Sequence, residues 1–217
     1  KEARALLTRA ICYAELRQYD KAIADATAYL QRDGRSAKAY FQRGYSYAQT
    51  GKYAQAAADF TRSLDVESSN PLTLYNRAWV LHQQKKFKDA LRDYDAVLAI
   101  NPNDLSALRN RATIHEELNE NDAAVADYTR LIQLQPDNPD PFYFRAHCYR
   151  RLKLLRLALA DFSSLIRTQP QNAEAYYWRA VTRSDLKEPS SDICGDLREA
   201  RTRGSQKADE QFKKLCK

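Results

Sequence analysis

Arginine and aspartate recur in this chain at a spacing that could do electrostatic chemistry. Arg9, Arg43, Arg77, Arg111, Arg145 and Arg179 stand 34 residues apart. Asp25, Asp59, Asp93, Asp127 and Asp161 follow the first five arginines by sixteen positions, and Asp196 follows the sixth by seventeen. A guanidinium can fork onto a carboxylate through two parallel hydrogen bonds. Such a pair, when partly buried, fixes register more surely than it adds stability. Arginines offered to an acidic ligand would not require an aspartate at a fixed distance. The pairs Arg43 and Asp59, Arg77 and Asp93, Arg111 and Asp127, Arg145 and Asp161 therefore read as a structural ladder.

Other reactive side chains are sparse. Cys12 and Cys148 fall at isolated helical positions and read as small buried hydrophobes. Cys194 and Cys216 lie 22 apart, on two helices expected to pack antiparallel. A disulfide between them is geometrically open, and so are two reduced neighbouring thiols. The first would imply an oxidising compartment and an exported chain, the second a cytoplasmic one. His82, His115 and His147 share no ligand spacing with the cysteines, so no metal site is expected. There is no glycine-rich phosphate loop, nucleophile elbow or paired metal motif. The chain is expected to have no catalytic residues, to need no cofactor and not to be an enzyme.

The elements that must position the ladder are helices. In residues 71–104, Leu74, Ala78 and Leu81 recur at helical spacing, and so do Ala90, Tyr94, Val97 and Leu98. The polar run from Gln83 to Lys86 separates the two patterns, and Asn101-Pro102 ends the second. One such hairpin buries too little apolar area to offset its ordering entropy. Shifting by 34 residues supplies the partners: Ala22, Ala56, Ala90, Ala124 and Ala158 share one slot. A fixed period of this kind is the signature of a repeat array, in which each unit packs on its neighbours.

Six units are expected, at 3–36, 37–70, 71–104, 105–138, 139–172 and 173–204, with a capping helix at 205–216, so that one array spans 1–217. Gly34 is expected to end the first unit in a left-handed conformation and Gly51 to make the turn inside the second. The sixth unit gains a residue near Pro189, where Ser190 or Ser191 is the expected N-cap. Ala208, Phe212 and Leu215 are expected to face inward from the cap. The chain begins at Lys1 with no signal-peptide pattern, and reads as a fragment or a processed product. No stretch is long and apolar enough for a membrane-spanning helix, so no membrane insertion is expected.

Residues 142–170 carry Phe142, Ala146, Tyr149, Ala158, Phe162 and Pro170, with equivalents in four other units. This pattern resembles the tetratricopeptide repeat family, and the resemblance covers nearly the whole chain. It implies an all-α, right-handed superhelical solenoid of six helix-turn-helix repeats plus the C-terminal cap. The first helix of each pair would line a concave groove, where the family mostly binds proteins and peptides.

Eight aromatic residues fall at groove-facing offsets of the first helices: Phe41, Tyr45, Tyr75, Trp79, Tyr143, Phe144, Tyr177 and Trp178. Phe41 with Tyr45 and Tyr75 with Trp79 are four apart, so each pair shares a helix face. Core packing does not demand rings there, and exposed aromatic clusters commonly anchor interfaces. Burial against the neighbouring first helix is the competing reading. Asn76, Arg109, Asn110, His82, Glu116 and Arg150 are the accompanying polar groups, mixed in sign. The basic and asparagine clamp that some family members place on a terminal carboxylate is missing, since its offsets hold Phe41, Tyr45, Tyr75 and Trp79.

The expected function is an interaction scaffold holding an extended peptide or a partner helix from another protein. Self-assembly into a homo-oligomer is the second expectation. The formal charge is +7, and it is uneven: residues 1–138 carry 19 basic and 18 acidic side chains, residues 139–217 carry 16 and 10. A third, weaker reading is therefore an acidic polymer such as RNA at the basic end. The basic residues form no run, which argues against nucleic acid.

Overall fold

A computed structural model describes residues 2–216, the backbone alone at 2 and 3. Lys1 and Lys217, the ends of the expected array, lie outside the described residues. Thirteen helices follow one another among those residues: α1 (Glu2–Glu15), α2 (Tyr19–Arg32), α3 (Ala37–Gln49), α4 (Tyr53–Val66), α5 (Pro71–Gln83), α6 (Phe87–Ile100), α7 (Leu105–Glu117), α8 (Asn121–Leu134), α9 (Asp140–Arg151), α10 (Leu155–Thr168), α11 (Ala173–Asp185), α12 (Ser190–Thr202) and α13 (Gln206–Leu215). The chain divides into two compact units, Lys1–Asn110 and Arg111–Lys217, with the division inside α7.

Local chemistry sets the helix ends. Ser36, Asn70, Asn172 and Ser205 each cap a helix by accepting the backbone N–H three residues on. That satisfies one of the four donors a helix N-terminus leaves open. The first helix of each pair ends differently. Arg17, Gly51, Lys85, Asn119, Lys153 and Lys187, again 34 apart, all have φ between 58° and 74°. The residue after each donates its N–H back across the turn, as Gln18 does to Tyr13 and Lys86 to Leu81. This is the left-handed C-terminal cap that glycine favours, yet only Gly51 is a glycine.

The core of each unit interleaves large rings with alanines. In the first, Phe60, Tyr94 and Val80 are fully enclosed beside Ala56 and Ala90. In the second, Phe162, Leu165 and Leu197 are enclosed beside Ala146 and Ala158. Each such large side chain contributes about 1.5–3 kcal/mol of burial. Gly44 allows the closest approach: a Cβ there would stand 3.1 Å from the ring of Phe60.

Four sequence expectations need correction. Gly34 is not left-handed; α2 is closed by Asp33, whose N–H donates to the Tyr29 carbonyl, and the junction needs no positive φ. The cap of α12 is Pro189, because the helix already begins at Ser190. Leu215 is 54% exposed; Ala208, Phe212 and Cys216 rise in steps of four and take the inward face instead. Cys12 is exposed although Cys148 is buried. The two share a repeat slot with Ser46, Val80 and Thr182, all fully buried. That slot faces the preceding helix pair, and among the described residues no helix stands before α1.

Candidate functional site

The ladder is built within each helix pair. Arg43 meets Asp59 through Nε and Nη2, both at 2.7 Å, and Arg77 meets Asp93 identically. Arg145 meets Asp161 at 2.8 and 2.7 Å, and Arg111 meets Asp127 at 2.9 and 2.5 Å. The aspartates are buried and the arginines half-buried. Asp196 serves two partners, Arg179 and Arg183.

The sequence reading missed a third participant. Nη1 of Arg43 reaches Thr27 at 3.3 Å, that of Arg77 reaches Thr61 at 3.3 Å, and that of Arg145 reaches Thr129 at 2.9 Å. Arg179 reaches Ser163 at 3.3 Å. Each hydroxyl lies on the second helix of the preceding pair, sixteen residues before its arginine. Its recurrence at the 34-residue period is the signal that could have revealed it.

In the first unit, the groove-offset rings are half-buried rather than enclosed. Phe41 stacks on Tyr45 at 6.4 Å and tilts onto Phe60 at 5.7 Å. Trp79 meets Tyr53 edge-on, and Tyr75 meets Tyr94 edge-on, both at 5.7 Å. Packed in this way, a ring is held in place while part of its surface stays open. Asn110 donates to the Tyr75 hydroxyl at 2.9 Å, whereas Asn76 turns back to the Leu72 carbonyl at 2.7 Å. Arg109 is exposed. A cavity of about 400 Å³ opens beside Phe41, lined also by Ile11, Lys38, Leu72 and Thr73.

In the second unit, Tyr143, His147, Trp178 and Tyr177 form one chain of rings, with centroids 4.6, 4.8 and 5.2 Å apart in that order. Arg150 covers Trp178 at 4.8 Å and pairs with Asp185 at 2.8 Å. Glu116 accepts from the buried Tyr128 hydroxyl and from Arg151 at 3.0 Å, so it serves the fold. A second cavity, of about 350 Å³, lies beside Tyr143 and Phe144. Its lining matches the first cavity position for position: Pro139 with Ala37, Tyr143 with Phe41 and Asn172 with Asn70 are each 102 residues apart, three times 34.

His147 is held neutral. Burial, and then the charges of Arg150 and Arg151, hold its imidazole down at about 4 from an ordinary 6.5. Its Nε2 is enclosed without a partner. Between pH 6.5 and 4 the unfolded chain binds a proton that the folded chain refuses, so this contribution is full above pH 6.5 and is lost as pH falls to 4. After allowance for its partial exposure, the loss is about 1–2 kcal/mol. Urea titrations at pH 7 and pH 4 should show it, and the loss should shrink in His147→Phe.

Cys194 and Cys216 are joined by a disulfide, their Cα atoms 5.6 Å apart. It ties α12 to the end of α13, where Ala208 and Phe212 pack on Tyr176, Ile193 and Leu197. Burial pushes the Cys148 thiol up to about 12, which makes it a poor nucleophile. Among the described residues no group of His, Cys, Asp or Glu could hold a metal ion. None of their helices is long and apolar enough to cross a membrane.

Helix pairs closed by one turn geometry, stacked on alanine contacts and leaving half-open rings on their first helices define an all-α repeat solenoid, an architecture of protein-interaction scaffolds. The chain carries tetratricopeptide repeats: two sequence profiles of that repeat match residues 41–104 and 77–141. No curated protein matches it in sequence. Among solved structures it is similar to YrrB, described as a TPR protein with an unusual peptide-binding site, at 18% identity and a TM-score of 0.75, over 88% of this chain and 98% of that one. It is also similar to the C-terminal part of a TPR repeat-containing protein from Cytophaga hutchinsonii, at 16% identity and 0.79, over 91% and 78%. MamA matches at 14% identity and 0.73, over 79% and 94%.

Proposed function

We propose that this chain is a non-enzymatic interaction scaffold that holds an extended peptide or a partner helix along the aromatic side of its first helices. The observation that carries this reading is the state of Phe41, Tyr45, Tyr75 and Trp79. Phe41, Trp79 and Tyr75 are packed by Phe60, Tyr53 and Tyr94, Tyr45 is packed by Phe41, and all four remain half-buried. Pre-positioned rings of this kind lose little entropy on binding, which is why Trp and Tyr dominate interface hot spots. Asn110 and the exposed Arg109 stand on the next first helix as polar contacts, and Tyr143, Tyr177 and Trp178 continue the role in the second unit. YrrB, which shares the fold, is described as having a peptide-binding site, and this adds support by analogy.

Peptides selected from a displayed library on the intact chain provide the test. Trp79→Ala and Tyr75→Ala should each weaken a selected peptide at least tenfold, about 1.4 kcal/mol or more, with far-UV circular dichroism unchanged. Unchanged affinity in both would place the site elsewhere. Association of the chain with itself would instead appear as a mass in solution that rises with concentration. A disulfide at Cys194 and Cys216 suits an oxidising compartment.

A further inference from the structure

The two equivalent cavities differ in charge. The first is lined by one lysine and one glutamate, Lys38 and Glu67. The second has only carboxylates as charged lining, Asp140 and Glu174, although residues 139–217 carry 16 basic side chains against 10 acidic ones. Its other polar residues, Asn172 and Gln169, are bonded to each other at 2.8 Å. Tyr143 and Phe144 meet there at 5.5 Å with their planes at 85°, and Phe144 is 42% exposed. Phe144 also stacks on Tyr128 at 5.7 Å. In an edge-to-face pair the positive edge of one ring meets the negative face of the other, so this space offers a cation the exposed part of Phe144 and the two carboxylates.

Asp140 and Glu174 also stand in the first turns of α9 and α11. Each helix start offsets about half a charge, so two carboxylates leave about one negative charge over. Glu174 holds the Trp178 indole N–H at 2.9 Å and has Lys207 at 3.7 Å, but Lys207 is 64% exposed and free to yield its place.

We propose that this cavity takes a cationic side chain, arginine or lysine, of the bound peptide. The proposal rests on the peptide-binding reading above and names the chemistry of one anchor. The cation lies against the exposed part of the Phe144 ring, beside Tyr143, with Asp140 and Glu174 as counter-ions, and 350 Å³ is ample for either side chain.

The indole of Trp178 reports on the site because its N–H is bonded to Glu174, and Trp79, the only other tryptophan, is an internal control. Nitrogen-15-labelled intact chain would be titrated with the amides of Nα-acetyl-arginine, Nα-acetyl-lysine and neutral, isosteric Nα-acetyl-citrulline. The expected result is a saturable millimolar shift of the Trp178 indole signal with arginine and lysine, at least tenfold weaker with citrulline, while Trp79 stays still. Asp140→Asn should weaken the arginine probe at least threefold. Glu174→Gln, which keeps an acceptor for the indole, should do the same. Equal binding of citrulline, joint movement of both tryptophans, no saturable shift, or full affinity in both variants would overturn the proposal. Trp79→Ala tests the general reading separately, since it leaves this cavity intact.

Discussion

Asp93→Ala is expected to remove about 3–5 kcal/mol of stability, because it strands the half-buried guanidinium of Arg77 without its counter-ion. Both 2.7 Å bonds vanish, and the methyl group left behind cannot accept either donor. The double variant Arg77→Met, Asp93→Leu should recover most of the loss, since buried ion pairs are often matched by apolar residues of similar volume. Two internal comparisons calibrate the result. The Arg92–Asp89 pair is solvent-exposed at 3.3 Å, so Asp89→Ala should cost under about 1 kcal/mol. Arg9, 58% exposed where Arg77 is 22%, predicts a smaller loss for Asp25→Ala than for Asp93→Ala. Urea midpoints for the five proteins would decide it; an Asp93→Ala loss no larger than that of Asp89→Ala would mean that the ladder does not hold the repeats.

Reducing the Cys194–Cys216 bond is the second large effect expected, at about 3 kcal/mol. The bond closes a segment of 22 residues, and loop-closure entropy for that length gives a stabilisation of this size. The loss should be local, because each helix pair of a solenoid leans only on its neighbours. Hydrogen exchange with and without reductant should show α13 and the facing side of α12 losing protection, with α3 and α4 unchanged. Cys194→Ser should reproduce the reduced pattern under oxidising conditions. Equal protection of α13 in both states would mean that Ala208, Phe212 and the Arg201–Asp209 contact at 3.1 Å hold the cap alone.

The helix pairs were legible in the sequence because their requirements are local and recur. A slot that must hold alanine in each pair, or an aspartate sixteen residues after an arginine, stands out once the chain is shifted by its period. What lay between neighbouring pairs was harder to see. Thr27, Thr61, Thr129 and Ser163 look like ordinary surface hydroxyls on a second helix, and only the reach of an arginine from the next pair gives them work. Cys12 was misread for a related reason: its slot is buried by a preceding pair, and the residue type carries no record of whether one is there. The left-handed turns were hidden for a different reason. Lys85, Lys153 and Lys187 adopt a conformation that their type does not advertise, imposed by the hydrogen bonds of the turn rather than by propensity. The candidate anchors were legible as leftovers, rings at positions the common frame does not need. Their half-buried state depends on Tyr53, Phe60 and Tyr94, whose positions only packing could fix.

The threonine contacts give the ladder a mechanical meaning. Each of Arg43, Arg77, Arg145 and Arg179 is a rivet through two plates, gripping its own pair by a carboxylate and the pair before it by a hydroxyl. Tension drawn along either unit from one of its ends would pass from plate to plate through these guanidinium groups. The carboxylate grip has two bonds between opposite charges and the hydroxyl grip a single bond to an uncharged oxygen, so the seam should part between pairs before any pair comes apart. Such a stack would yield in whole repeats, each still folded as it leaves its neighbour.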